Sequence, residues 1–191
     1  DPQTGDCPWI TVHRNVPDTR PQLSGHRLVW ETSSDDQDLD VYFCEYDRLR
    51  GVCPVQRITA QMGFQRSARI DENWVVWEDQ RHGSNSIYGI GLPEIRDIRV
   101  PRAREGRRLR LRVRARDPMG EPLTLSLEPH ADLQPDELGI EFSQTASRNG
   151  MAKGELNWRP APGQAGKYVL TFAAQKPGGL TVRKSIEITV K

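Results

Sequence analysis

Cysteine, methionine and aromatic residues are scarce in this chain of 191 residues, with three Cys, three Met and 7% Phe, Trp and Tyr together. No apolar run comes near the roughly 20 residues that a helix needs to cross a bilayer, so no membrane-spanning helix is expected. The common catalytic signatures are also missing. There is no Gly-x-Ser-x-Gly elbow, no His-Glu-x-x-His and no phosphate-cradling loop. The four histidines, His13, His26, His82 and His130, stand apart in polar surroundings. No paired Cys or His sits at the spacing of a zinc or haem site. Enzymatic chemistry in this chain is therefore not expected. Net charge is +1, so no excess of one sign points to nucleic acid.

The charge that is present is divided. Residues 1 to 96 hold 10 Lys and Arg against 15 Asp and Glu, whereas residues 97 to 191 hold 17 against 11. The halves differ in sign, which suggests two domains, 1–94 and 95–191. Opposite charge also favours contact between the halves or between molecules.

The first half repeats itself. Leu28-Val29-Trp30-Glu31 is echoed by Val75-Val76-Trp77-Glu78, Val41-Tyr42 by Ile87-Tyr88, and Cys7-Pro8 by Cys53-Pro54. The period is 46 to 48 residues, in the range of propeller blades. Each period holds short β-branched and aromatic segments, 27–30 and 40–44 in one copy and 74–77 and 86–90 in the other, that read as strands. Recurrence of Glu31 and Glu78 at the repeat period argues for a structural role, since a catalytic pair would be unique.

Cys44 and Cys53 flank the segment "EYDRLRGV", which reads as a hairpin. Cross-strand cysteines in register are close enough to bridge. Cys7 is the repeat equivalent of Cys53 and is left unpaired, or free for an intermolecular bond. Such a framework implies an oxidising compartment: periplasm, cell surface or exterior. Asp35, Asp36, Asp38 and Asp40 cluster between two strands and form a candidate calcium site, because hard cations take several oxygen ligands. No other cofactor is suggested.

The stretches Ser24-Gly25-His26-Arg27-Leu28-Val29-Trp30-Glu31 and Asn73-Trp74-Val75-Val76-Trp77-Glu78-Asp79-Gln80-Arg81-His82-Gly83 resemble the TolB-like β-propeller repeats of bacterial envelope and secreted proteins. The resemblance covers about residues 1 to 92 and implies two blades. Closed propellers have about 4 to 8, so an open partial propeller is expected, completed by a partner or by further blades of a longer precursor. Open β-edges favour pairing with another chain.

The second half reads as a β-sandwich of about seven short strands. Leu109, Leu111, Val113 and Ala115 alternate with Arg108, Arg110, Arg112, Arg114 and Arg116. Strict alternation means a strand with one buried face and an arginine ladder on the other. The ladder is a candidate site for a polyanion or an acidic protein face. No aromatics interleave it, which argues against single-stranded nucleic acid. The pieces Ala115-Arg116-Asp117-Pro118-Met119-Gly120-Glu121-Pro122-Leu123, Gly154-Glu155-Leu156-Asn157-Trp158-Arg159-Pro160 and Gln164-Ala165-Gly166-Lys167-Tyr168 resemble bacterial immunoglobulin-like and cadherin-like domains. The resemblance implies a spacer or adhesive module, a tyrosine corner at Tyr168, and calcium ligands at Glu105, Asp117 and Glu121. Met119 replaces the Asp usual in that pattern.

The expected protein is all-β, a partial propeller followed by an immunoglobulin-like sandwich. Its expected role is that of a non-catalytic extracellular structural or binding module, with a protein partner or a second copy of itself. The alternative is a glycan-binding accessory region of a larger secreted hydrolase, taking an anionic polysaccharide.

Overall fold

Alternating strands joined by tight turns produce two kinds of sheet here. A computed structural model describes residues 19–33, 38–129 and 133–191. Cys7, His13, Asp35, Asp36 and His130 lie outside the described residues. The first sheet is a meander of β1 (Thr19–Ser24), β2 (Arg27–Ser33), β3 (Leu39–Glu45) and β4 (Gln56–Arg57). The second is a meander of β5 (Gln65–Asp71), β6 (Trp74–Asp79) and β7 (Ser86–Gly91). All pairings within them are antiparallel, and neither sheet closes into a barrel.

The repeat in the sequence is a repeat in register. Trp30 pairs with Tyr42 and Trp77 with Tyr88, and each pair stacks, with ring centroids 6.1 and 6.4 Å apart. Each first strand carries a bulge at the same place, between Thr19 and Gln22 and between Arg66 and Arg69. Each bulge holds a non-glycine residue in the left-handed region, Arg20 at φ 51° and Ser67 at φ 58°. Both following hairpins turn through two residues whose first has positive φ, Gly25 (61°) and Glu72 (47°), the geometry that matches strand twist.

The two sheets stack face to face. Val29, Val41 and Phe43 on the first, and Ala68, Val75 and Trp77 on the second, belong to one buried core. A buried carboxylate needs hydrogen bonds. Glu31 is 1% exposed; it accepts the Ala68 amide at 3.0 Å and lies 3.8 Å from Arg20. The recurring glutamate is thus structural in the first copy, where it binds the bulge of the neighbouring sheet.

The Glu-Asp-x-Arg of the second copy is a clamp. Asp79 accepts the Trp77 indole at 2.9 Å and both Arg81 nitrogens at 2.9 and 2.5 Å. Arg81 then lies 4.2 Å over the Tyr88 ring. The Arg81 fork outweighs burial and holds the Asp79 carboxyl down at about 2. The first copy has Thr32, which carries no carboxylate, at the place equivalent to Asp79.

The second half is a sandwich. One sheet runs β11 (Ile140–Arg148), β12 (Met151–Trp158), β9 (Leu109–Arg116) and β8 (Glu94–Ile95). The other runs β10 (Thr124–Glu128), β13 (Gly166–Gln175) and β14 (Thr181–Val190). Four strands against three, with Ala103 adding a parallel bridge to Val190, is the strand order of an immunoglobulin-type sandwich. Leu138 lies in a 3-10 turn and its carbonyl accepts the Trp158 indole N–H at 3.0 Å. Tyr168 Oη donates to the Gln164 carbonyl at 2.8 Å, the tether expected of a tyrosine corner.

The halves share one hydrophobic core. β8 already pairs with β9, while the Leu92 amide still bonds Asn73 of the second sheet, so the passage between halves falls at Leu92–Pro93. The hairpin stapled by the Cys44–Cys53 disulfide, Cα atoms 5.4 Å apart, docks on β14. Asp47 meets Ser185 there, and Gln56 bonds the Thr181 backbone at 2.6 and 2.8 Å. At the other end, Gly91 packs under the turn after β9, where an added Cβ would lie 2.4 Å from Pro118.

Lys176 seals that contact. Its side chain is 2% exposed; the ammonium lies 3.1 Å from Asp117, 2.5 Å from Glu121 and 3.0 Å from the Gly91 carbonyl. Removing one member of a buried pair strands the other charge and costs about 3 to 5 kcal/mol, whereas an exposed pair contributes about 0 to 1. Lys176→Met is therefore expected to lower the midpoint of calorimetric unfolding by roughly 10 °C. Lys167→Met, at the exposed pair with Glu187, is expected to shift it by less than about 2 °C. Equal small shifts would contradict this account of the junction.

Candidate functional site

The arginine ladder is where the sequence placed it. Leu109, Leu111, Val113 and Ala115 are buried, and Arg108, Arg110, Arg112, Arg114 and Arg116 are exposed on the outer face of the β8–β9–β12–β11 sheet. The face is held open by its neighbours. Arg110 pairs with Glu155 at 2.6 Å, and Arg108 donates to Asn157 at 2.9 Å. Arg110 beside it holds the Glu155 carboxyl below its ordinary range. Arg112 stands opposite Glu155, whose carboxyl its charge helps to lower, Arg116 stands opposite Met151 on one side and Glu94 on the other, and Arg114 stands opposite Lys153, a like charge. Among the described residues, Arg112, Arg114 and Arg116 make no ion pair. Like charges directly opposite across strands repel, and on this face that applies to Arg114 and Lys153.

A cleft of about 450 Å³ opens at one end of the ladder, lined by Arg107, Arg108, Glu141, Trp158 and Arg159. Its guanidiniums could hold a carboxylate or sulfate bidentately. Of the acidic first half, Glu94 stands opposite Arg116 of the ladder. Contact between the halves also runs through Glu45, Asp47, Gln56, Lys176 and β14.

A second cleft, of about 360 Å³, lies where the two meanders meet the sandwich, between His26, Arg27, Glu45, Glu72 and Arg183. His26 and Glu45 lie 2.9 Å apart there. Nothing in the sequence pattern pointed to this pair, because its members sit 19 residues apart, in the turn before β2 and at the end of β3. Glu45 is already committed to structure. Arg27 Nε donates to it at 3.0 Å, and the Arg183 amide at 3.1 Å. Among the described residues no side-chain hydroxyl or thiol is hydrogen-bonded to His26.

Of the candidate calcium residues in the first half, Asp38 and Asp40 are among the described residues. Asp38 accepts the Gly63 amide at 2.9 Å, while buried Asp40 meets Arg57 at 2.6 Å and Thr59 at 3.0 Å. Asp40 thereby latches the chain after β3 onto the sheet. In the sandwich, Glu105 accepts the amides of Gly163 and Ala165, and the cation held by Asp117 and Glu121 is the Lys176 ammonium. Among the described residues no group of three or more His, Cys, Asp or Glu side chains is placed to hold a metal ion.

No protein-family model and no curated protein matches this sequence. Solved structures match at low identity. The SrpA adhesin from Streptococcus sanguinis is 16% identical with a TM-score of 0.37, over 51% of this chain and 57% of that one. A variant of the same adhesin gives 15% and 0.38, over 51% and 59%. A chimeric titin Z1Z2 tandem carrying a GRGDS peptide from fibronectin gives 11% and 0.37, over 93% and 98%. This chain thus spans less than two thirds of the adhesin chains, and at these scores the likeness does not amount to a common overall fold.

Burial pushes the Glu45 carboxyl up, but the hydrogen bond from His26, the charge and hydrogen bond of Arg27 and the Arg183 amide together hold it below its ordinary 4.5. A carboxyl lowered by folding stabilises fully above its unfolded value and ceases to do so as pH falls through its folded value. The wild type is therefore expected to exceed Glu45→Gln in urea-unfolding stability at neutral pH. That difference is expected to shrink as the pH drops below about 4.5. A difference that stays constant down to about pH 2.5 would contradict it.

Proposed function

We propose that this chain is a non-catalytic structural and binding module of a bacterial surface or secreted protein. In this reading β1–β4 and β5–β7 are two blades of an open propeller-type array, followed by an immunoglobulin-like domain. Their equal register at a period of 46 to 47 residues supports the blade reading. The Cys44–Cys53 disulfide supports an oxidising compartment, since such bonds persist there. Protein partners meet the module at its open sheet edges and at its basic face.

The observation that carries the binding role is the outer sandwich face. It presents five arginines and Lys153 against the carboxylates of Glu94, Glu141 and Glu155, and three of its arginines have no ion-pair partner among the described residues. Its partner in this reading is an acidic protein face. The alternative, an anionic polysaccharide held by an accessory region of a larger secreted hydrolase, is favoured by the cleft between Arg107, Arg108 and Arg159.

Binding to immobilised polyglutamate and to polygalacturonate, followed by surface plasmon resonance, separates the two. Tighter binding to polyglutamate supports the protein-face reading, and tighter binding to polygalacturonate the alternative. In either case Arg110→Gln/Arg112→Gln/Arg114→Gln is expected to weaken binding at least about tenfold, and raising salt from about 0.05 to 0.3 M to weaken it further. No binding to either polyanion, or binding indifferent to the triple substitution, would contradict a role for this face.

A further inference from the structure

Strand pairing turns the outer sandwich face into a grid of rows. From β11 through β12 to β9 the rows are Glu141, Asn157 and Arg110, then Ser143, Glu155 and Arg112, then Ala146, Lys153 and Arg114, then Arg148, Met151 and Arg116. β8 extends the last row with Glu94. It extends the row before it with Arg96, whose amide bonds the Arg114 carbonyl at 2.9 Å. The first two rows carry their own countercharge: Arg110 pairs with Glu155 at 2.6 Å, and Arg112 stands opposite that carboxylate. The third row has none. Lys153, Arg114 and Arg96 stand exposed side by side on three adjacent strands, and none of them makes an ion pair among the described residues. The last row adds Arg148 and Arg116 against Glu94 alone. The excess positive charge is therefore gathered at one end of the ladder and runs across the strands.

We propose that Arg96, Arg114 and Lys153 form a binding site for a phosphomonoester group. The site lies within the basic face proposed above as a binding surface and rests on that reading. Like charges directly opposite across strands cost stability, and no carboxylate in this row offsets that cost. Adjacent strands lie about 4.8 Å apart, so the three backbones span on the order of 10 Å. Long side chains with wet heads lean over that distance and converge on one anion. A phosphomonoester matches the row in charge and in shape. It carries roughly −1.5 to −2 at neutral pH and offers three strong acceptor oxygens, one toward each strand. The two guanidiniums meet phosphate oxygens through paired N–H groups, and the lysine meets them as a point charge. A carboxylate has a single charge and two oxygens. It satisfies one guanidinium and leaves the other two cations facing each other.

Titration followed by NMR amide shifts at low salt tests the site, with O-phosphoserine and glycerol phosphate as the phosphates and acetate as the carboxylate. Both phosphates are expected to bind saturably with Kd on the order of 1 mM, with the largest shifts at Arg96, Arg114 and Lys153. Acetate is expected to bind at least tenfold more weakly. The tighter of the two phosphates tells whether a side chain or a polyol carries the group. Arg96→Gln and Lys153→Gln are each expected to weaken phosphate binding at least fivefold. Lys167→Gln, an equal loss of charge on the other sheet, is expected to leave it unchanged. These side chains are exposed, and the amide spectrum of each variant checks the fold directly. No saturable shift up to about 20 mM phosphate, shifts centred on other residues, acetate binding as tightly, or an equal effect of Lys167→Gln would overturn the proposal. If the polyanions bind and the phosphates do not, the basic face stands and only the phosphate assignment falls. If neither binds, both fall.

Discussion

The Arg27 guanidinium is the point at which the separate pieces of this fold become one body. It is 6% exposed and bonds three segments. Nε reaches Glu45 on the first sheet, and another nitrogen meets Asn73 and the Glu72 carbonyl at the turn of the second. Nη2 donates to the Pro93 carbonyl at 2.9 Å in the passage to the sandwich. Glu45 extends the chain of bonds by accepting the Arg183 amide of β14. A buried guanidinium is tolerable only when its donors are satisfied, so this cation can sit here only if both meanders, the linker and the sandwich are in place together. Single contacts elsewhere in the junction, at Gln56 and Lys176, then act on pieces already oriented.

Stacking is the second organising rule. Each meander is bulged at the same step, which tilts an amide out of its own ladder. In the first sheet the recurring glutamate takes the amide that the next bulge presents. The unit cannot bury both of its faces alone, as in other repeat architectures. The same physics makes the two sheets cohere, and the outer face of the second keeps Trp74, Val76 and Ile87 exposed. On the sandwich the outer sheet face is likewise unfinished, but in charge instead of apolar surface.

Much of this was legible in the residues. The alternation of Leu109 to Arg116 defines β9 and its two faces, and the doubled Val-Trp-Glu marks β2 and β6 in register. The strands before them, β1 and β5, were not legible: a bulge breaks the period-two pattern, Pro21 interrupts the first, and "QRSARID" is mostly polar. Pairing and burial there are set by the neighbouring strand, which no local pattern reports. The arginine ladder was visible as a site because alternation is local. The His26–Glu45 contact, the Lys176 seal and the latch at Asp40 were invisible because each joins residues 17 to 85 positions apart. The acidic run that suggested calcium shows why: Asp40 is spent on Arg57 and Thr59, partners that only the meander brings near.

The account stands on the claim that the meanders and the sandwich form one rigid body held at Arg27 and Glu45. Residual dipolar couplings of backbone amides, measured in β2, β3 and β6 and in β9, β12, β13 and β14, test it most directly. The account predicts that both sets fit a single alignment tensor. Two tensors of different orientation or magnitude, the mark of domains moving independently about Leu92–Pro93, would contradict it.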